Sequence, residues 1–224
     1  ASDTSTVSVD SHSLQDSEHA FQVVVFKKLT NQLVPKGIDS ESLVNFFSSQ
    51  FTFGNAKERN EFEAATKYQI ATPNYHVLCI TALVYDPVQK IMIHAIVGAA
   101  LYMHDNKNGS FIFTLGVLDR GDPQVCSLTE KHFSEHPGAS SSEPFLSPNA
   151  RFRQKGLATY MLSLIQVLGS IRYSAPTEVD PTGSYSVPCD EQISDVTEKK
   201  HHLYLQARIE AYSAYTYYVR LGFQ

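Results

Sequence analysis

The sequence predicts a mixed α/β single domain, ordered strand, helix, three or four strands, helix, strand, helix. Three observations predict it. Stretches 21–29, 75–103 and 110–118 are rich in β-branched and aromatic residues, the makeup of strands. Stretches 40–51, 151–172 and 208–222 carry apolar side chains at helical spacing. The chain's 224 residues, 42% of them apolar, suffice for one well-buried core or at most two small ones.

Each element follows in order. Residues 1–20 are rich in Ser, Thr and Asp without apolar period and read as a flexible lead-in or linker, leaving 21–224 as the domain. "FQVVVFKKL" (21–29) is the first strand, and "SESLVNFFSSQF" (40–51) a helix capped by Asp39 or Ser40. In "YHVLCITALVYDPVQKIMIHAIVGAALYM" (75–103) two strand-like runs flank an Asp-Pro turn, which predicts an antiparallel hairpin. Gly98 and Ala99 mark a place where another backbone or a ligand comes close. "SFIFTLGVL" (110–118) is a further strand. Residues 119–142 read as loop, followed by "EPFLSP", a short extended piece stopped by Pro148. Residues 174–200 are a long polar insertion with three prolines. Within 175–200 six acids (Glu178, Asp180, Asp190, Glu191, Asp195, Glu198) face Lys199 and Lys200 alone. A strand (201–207) and a helix (208–222) close the chain, and no internal repeat is evident.

Composition narrows the function classes. With 18% charged residues and a net charge of −5, the surface offers no general attraction to nucleic acid or an anionic membrane, and mildly favours basic ligands. The three cysteines, Cys79, Cys126 and Cys189, lie far apart, as expected of free thiols in a reducing, intracellular compartment. The longest apolar stretch, near 91–103, is broken by His94 and is too short to span a bilayer. A chain beginning at Ala1 reads as part of a longer protein whose N-terminal region is missing.

The most informative stretch is "RFRQKGLATYML" (151–162). Leu157, Tyr160, Met161, Leu164 and Leu168 form one apolar stripe, with "RQKG" expected as the first helical turn. Backbone N–H groups at a helix start lack partners within the helix, and Gly156, without a Cβ, lets a ligand approach them. Arg153 and Lys155 add positive charge, so this terminus suits an anion; a solvated basic helix start is the plainer alternative. Neither G-x-x-x-x-G-K-[ST] nor G-x-G-x-x-G occurs, so a P-loop kinase and a dinucleotide Rossmann fold are unsupported.

Arg153-x-x-Gly156-x-Ala158 resembles the [Q/R]-x-x-G-x-[G/A] signature of the GCN5-related N-acetyltransferase (GNAT) superfamily. "AYTYYVRLGF" (214–223) is similar to that family's closing helix, with Ala214, Tyr218, Gly222 and Phe223 in matching places. The resemblance covers about residues 21–223. It implies the GNAT fold, a central mixed, mostly antiparallel sheet with flanking helices and a V-shaped splay between two central strands. It also implies acetyl-CoA as co-substrate, its pyrophosphate cradled by Arg153, Gln154, Lys155, Gly156, Leu157 and Ala158. "EPFLSP" maps to the strand before the turn, which would put Leu146 and Ser147 beside the thioester. Tyr218 matches the tyrosine that protonates the CoA sulfur in many members, although the residue also fits a core stripe with Ala211, Ala214, Tyr215 and Leu221.

Acetyl transfer to an amine needs a base, because a lysine amine has a pKa near about 10.4. Glu143 lies where the family often places a catalytic carboxylate; His201, His202, Glu210 and a water chain are the alternatives, and a solvated glutamate is the plain reading. Cys126, His132 and His136 suggest zinc, but the second cysteine of a structural site is missing, so no metal is expected. The chain departs from the family at Gln154, commonly glycine, at Ala211, often asparagine, and in stopping at Gln224 without the usual further strands, for which strand 110–118 is a candidate substitute. The acidic balance favours a protein lysine on a basic tail such as a histone's, with a small-molecule amine or a degenerate binding module as alternatives. A fainter resemblance, to the acetyltransferase domain of a kinetoplastid kinetochore protein, would imply a nuclear, chromatin-facing enzyme.

Overall fold

The structure is a computed structural model that describes residues 22–26, 36–105, 109–138, 145–147, 151–174, 201–206 and 212–223. Five strands, β1 (Gln22–Phe26), β2 (His76–Asp86), β3 (Ile91–His104), β4 (Gly109–Val117) and β5 (His202–Leu205), form one sheet in chain order. The first four run antiparallel to their neighbours, and β5 lies parallel to β4. The expected mixed, mostly antiparallel sheet is therefore present, hairpin included.

β2 is buried without a break from His76 to Val84, because helices cover both faces of the sheet. Its side chains alternate between two cores, as pleating requires. Leu78, Ile80, Ala82 and Val84 pack under α4 (Leu157–Ser174) with Met161, Leu162 and Ile165. Val77 and Cys79 face the other way, toward Leu43, Val44 and Phe47 of α1 (Ser40–Ser49). α1 starts in a capping box: Asp39 Oδ1 accepts from the Ser42 amide at 2.7 Å, and Ser42 Oγ accepts from the Asp39 amide at 2.8 Å. Asp39 is thus the cap.

Two helices depart from the sequence expectation. α2 (Ala56–Ala71) was assigned no element, and only Thr66 and Ile70 of its residues are buried, which leaves no clear apolar face to detect. α3 (Pro123–Glu135) replaces the loop expected over 119–142. Asp122 caps it, accepting from the amides of Gln124 at 2.8 Å and Val125 at 3.1 Å. Thr129 pins it to the end of β2 by accepting from the Tyr85 amide at 2.9 Å. On its outer side His132 stacks between Tyr85 and His136, with ring centroids 4.4 and 4.6 Å apart.

The stripe of α4 is rotated from the predicted one. Leu157 and Met161 are buried as expected, but Leu162, Ile165 and Gly169 complete the buried face, while Tyr160, Leu164 and Leu168 sit at its margin. Gly169 has a reason to lack a side chain, since a Cβ there would overlap the ring of His201. Gln166 Nε2 also donates to the His201 carbonyl at 3.1 Å, so α4 and the start of β5 are locked together. Gly169→Ala is expected to destabilise the protein: overpacking costs about 1–3 kcal/mol, more than the ~1 kcal/mol of helix propensity that alanine adds. A lower urea midpoint with an unchanged slope would register this; an equal or higher midpoint would refute it.

Candidate active site

The glycine turn is not the first turn of α4, as the sequence suggested, but a separate loop that leads into it. Two of its residues lie in left-handed conformation, Gln154 at φ 64° and Gly156 at φ 78°. Its N-terminal flank is fixed twice: Arg151 bridges to Arg120, and the fully buried Phe152 donates its amide to the Asp119 carbonyl at 3.0 Å. Helical bonding starts at the Gly156 carbonyl, which accepts from the Tyr160 amide at 2.9 Å. The amides of Leu157, Ala158 and Thr159 accordingly have no acceptor within the helix. A Cβ added at Gly156 would meet nothing within 4 Å, so the turn faces open space. Arg153, Gln154 and Lys155 are exposed around it, and Leu157 turns inward to anchor the helix. An open cradle, free amides and two cations fit a diphosphate.

Arg153 also reaches the sheet, its Nε donating to the Val117 carbonyl at 3.2 Å. This bond shows how the end of β4 is oriented. The Leu118 amide donates to Val97 on β3 at 2.8 Å, and backbone groups alternate along a strand. Those of Leu115 and Val117 therefore point away from β3, toward the β5 side. β5 pairs with β4 only over Gly109–Ile112, so among the described residues no strand covers this edge beyond Ile112. β4 runs on past this pairing through Phe113–Val117. The register against β3 slips between Leu101 and Tyr102, leaving Phe113 as an extra residue just beyond the last β5 pair.

Leu146 and Ser147 do not belong to this edge. Phe145 bridges to Leu83, and the Leu146 amide donates to the Leu83 carbonyl at 3.1 Å. Residues 145–147 thus lie alongside β2, and the Leu146 amide already has an acceptor. Leu146 is 3% exposed and packs beneath the glycine turn, near Gly121 and Phe152. α3 is inserted between β4 and the turn, and the amides at the end of β4 that point away from β3 are those of Leu115 and Val117. Glu143 lies outside the described residues, as do Ala211 and Glu210.

The closing motif folds back on itself. α5 (Tyr212–Arg220) ends at Gly222, φ 91°, and the Phe223 amide donates to the Tyr218 carbonyl at 3.1 Å. This sets the Phe223 ring edge-on to Tyr218, 5.8 Å between centroids. Tyr217 Oη lies 2.8 Å from Thr159 Oγ1, which holds α5 against the first turn of α4. Tyr218 is half-buried and, with Phe223, lines a groove between α4, β5 and α5 whose other walls include Leu162, Gln166, His201 and Leu205. Burial, and then the neighbouring Tyr217, raise the Tyr218 phenol above its ordinary value. It keeps its proton through the physiological range and can act as a donor.

No protein-family model matches this sequence, and no curated protein sequence matches it. Among solved structures, the chain is similar to an aminoglycoside N-acetyltransferase, AAC(6')-Iy in complex with CoA, with a TM-score of 0.44 and 10% identity over 93% of this chain and 91% of that one. It is also similar to a ribosomal-protein-alanine N-acetyltransferase from Brucella melitensis biovar Abortus 2308, with a TM-score of 0.29 and 12% identity over 75% of this chain and 99% of that one.

Proposed function

We propose that this chain is an acetyl-CoA-dependent N-acetyltransferase of the GNAT type. The observation that carries the reading is the open left-handed turn at Gly156, which leads into the free amides of α4 beside the uncovered edge of β4. Arg153, Lys155 and the amides of Leu157 and Ala158 would hold the diphosphate. When bound, acetyl-CoA supplies an acetyl group activated as a thioester. The inward-facing amides of Leu115 and Val117 are the donors available to the carbonyl oxygen, where one such bond contributes about 3 kcal/mol. Tyr218 is the proton donor to the leaving sulfur.

The acceptor is an amine. A lysine on a basic protein tail such as a histone's suits the net charge of −5, and a nuclear, chromatin-facing role is the narrower form of this reading. A small polyamine would answer to the same charge. Calorimetry with acetyl-CoA, followed by turnover on a histone tail peptide and on spermidine, tests the proposal. Binding with turnover on one amine is expected; tight binding without turnover on any amine would leave a CoA-binding module instead.

A further inference from the structure

We propose that His201, Ser110 and His104 form the proton exit of the acetyl-transfer cleft; the proposal rests on the acetyltransferase reading. Ser110 Oγ sits 2.7 Å from His201 Nε2 and 2.6 Å from His104 Nδ1. A serine hydroxyl has one hydrogen, so between two ring nitrogens it donates to one and accepts from the other. One of the two facing nitrogens therefore carries a proton; when that proton hops to Oγ and the hydroxyl's own proton hops to the other nitrogen, one proton has crossed from histidine to histidine.

Position gives the chain its role. His201 is 3% exposed and lines the same groove as Tyr218. His104, at the other end, is half-exposed, so the bonds run from the groove toward solvent. Ser110 belongs to the half of β4 that pairs with β5. Along α4, Gly169 against the His201 ring lies about 18 Å from Leu157 at the helical rise, the scale of an extended pantetheine arm held at the glycine turn.

The proton balance defines the step. A protonated amine has two protons to lose as its nitrogen bonds to the acetyl carbon and the carbon–sulfur bond breaks. His201 takes the first on Nδ1, its Nε2 proton passes to Ser110 Oγ, the serine proton passes to His104 Nδ1, and His104 releases one from Nε2 to solvent. The second ends on the sulfur through Tyr218. No oxidant or further reactant is needed.

The surroundings favour a neutral His201 at rest. Burial lowers its pKa, with His202 acting the same way and Asp105 opposing them. Among the described residues, His76 and Tyr102 are titratable rings beside the chain, 5.1 and 5.2 Å from His104, and α4 contributes the uncharged Gln166 and Gly169. A base whose pKa lies below the ordinary histidine value of about 6.5 is neutral at pH 7, and its activity is lost as pH falls through that lowered value.

The full chain tests this with two variants. Ser110→Ala cuts the chain in the middle, and His104→Asn cuts it at the half-exposed end, sparing the buried core. Both are expected to keep acetyl-CoA affinity by calorimetry, to lower kcat on a lysine-rich peptide by about 10–100-fold, and to shift the acid limb of the wild-type profile. Independently of turnover, imidazole nitrogen NMR should show coupled titration of His201 and His104 in the wild type and separate titration in Ser110→Ala. Unchanged kcat and pH profile in both variants, or separate titration in the wild type, would overturn the proton exit alone. Failure of the wild type to bind acetyl-CoA would overturn the acetyltransferase reading, and the proton exit with it.

Discussion

Replacing Gly156 by valine is expected to weaken acetyl-CoA binding by at least about 100-fold while leaving the fold intact. The backbone there is at φ 78°, where a β-branched residue is strained by about 1–3 kcal/mol. A turn that relaxes out of this conformation no longer aims the amides of α4 at the diphosphate, and each hydrogen bond to a charged group is worth about 1.5–3 kcal/mol. Loss of two such bonds, about 3–6 kcal/mol, exceeds the roughly 2.7 kcal/mol that 100-fold represents. The fold should survive because a Cβ at this position meets nothing within 4 Å, so the core is untouched. Calorimetry of the variant beside its circular dichroism separates the two effects. An affinity within threefold of wild type would show that the turn does not hold the cofactor.

Tyr218→Phe is expected to lower kcat by about 100-fold with little change in KM, the size typical of removing a positioned proton donor. The phenylalanine keeps the packing against Phe223 and removes only the hydroxyl. The pH profile carries the diagnostic sign. A phenol held above its ordinary value of about 10 stays protonated through neutral and mildly alkaline pH, so activity should persist there and fall only as pH rises through the raised value. In the variant that alkaline limb should vanish. A kcat near wild type would return Tyr218 to the role of a core aromatic.

Some of this was readable in the sequence, and the pattern of hits follows the physics. The hairpin declared itself through two apolar runs around Asp-Pro, and α1 through a cap followed by a dense apolar stripe. α2 did not, because only Thr66 and Ile70 of its residues are buried, with Phe62 packed partly exposed beside them. α3 was masked by polar residues, although Asp122-Pro123 is a cap followed by proline at the first helical position, a signal that could have revealed it. Reading 119–142 as loop left residues 145–147 as the extended piece next before the turn. The open backbone at Gly156 was legible because the need for a missing Cβ is local. The His201–Ser110 contact joins residues 91 apart in the chain, and no local pattern encodes it.

The lock between α4 and His201 has a consequence for how this gene can change. α4 ends at Ser174, and the Gly169 and Gln166 contacts seize the chain again at His201. Elements fixed to each other in this way can change only together: a larger residue at 169 calls for a smaller ring at 201, and either change alone is felt by both.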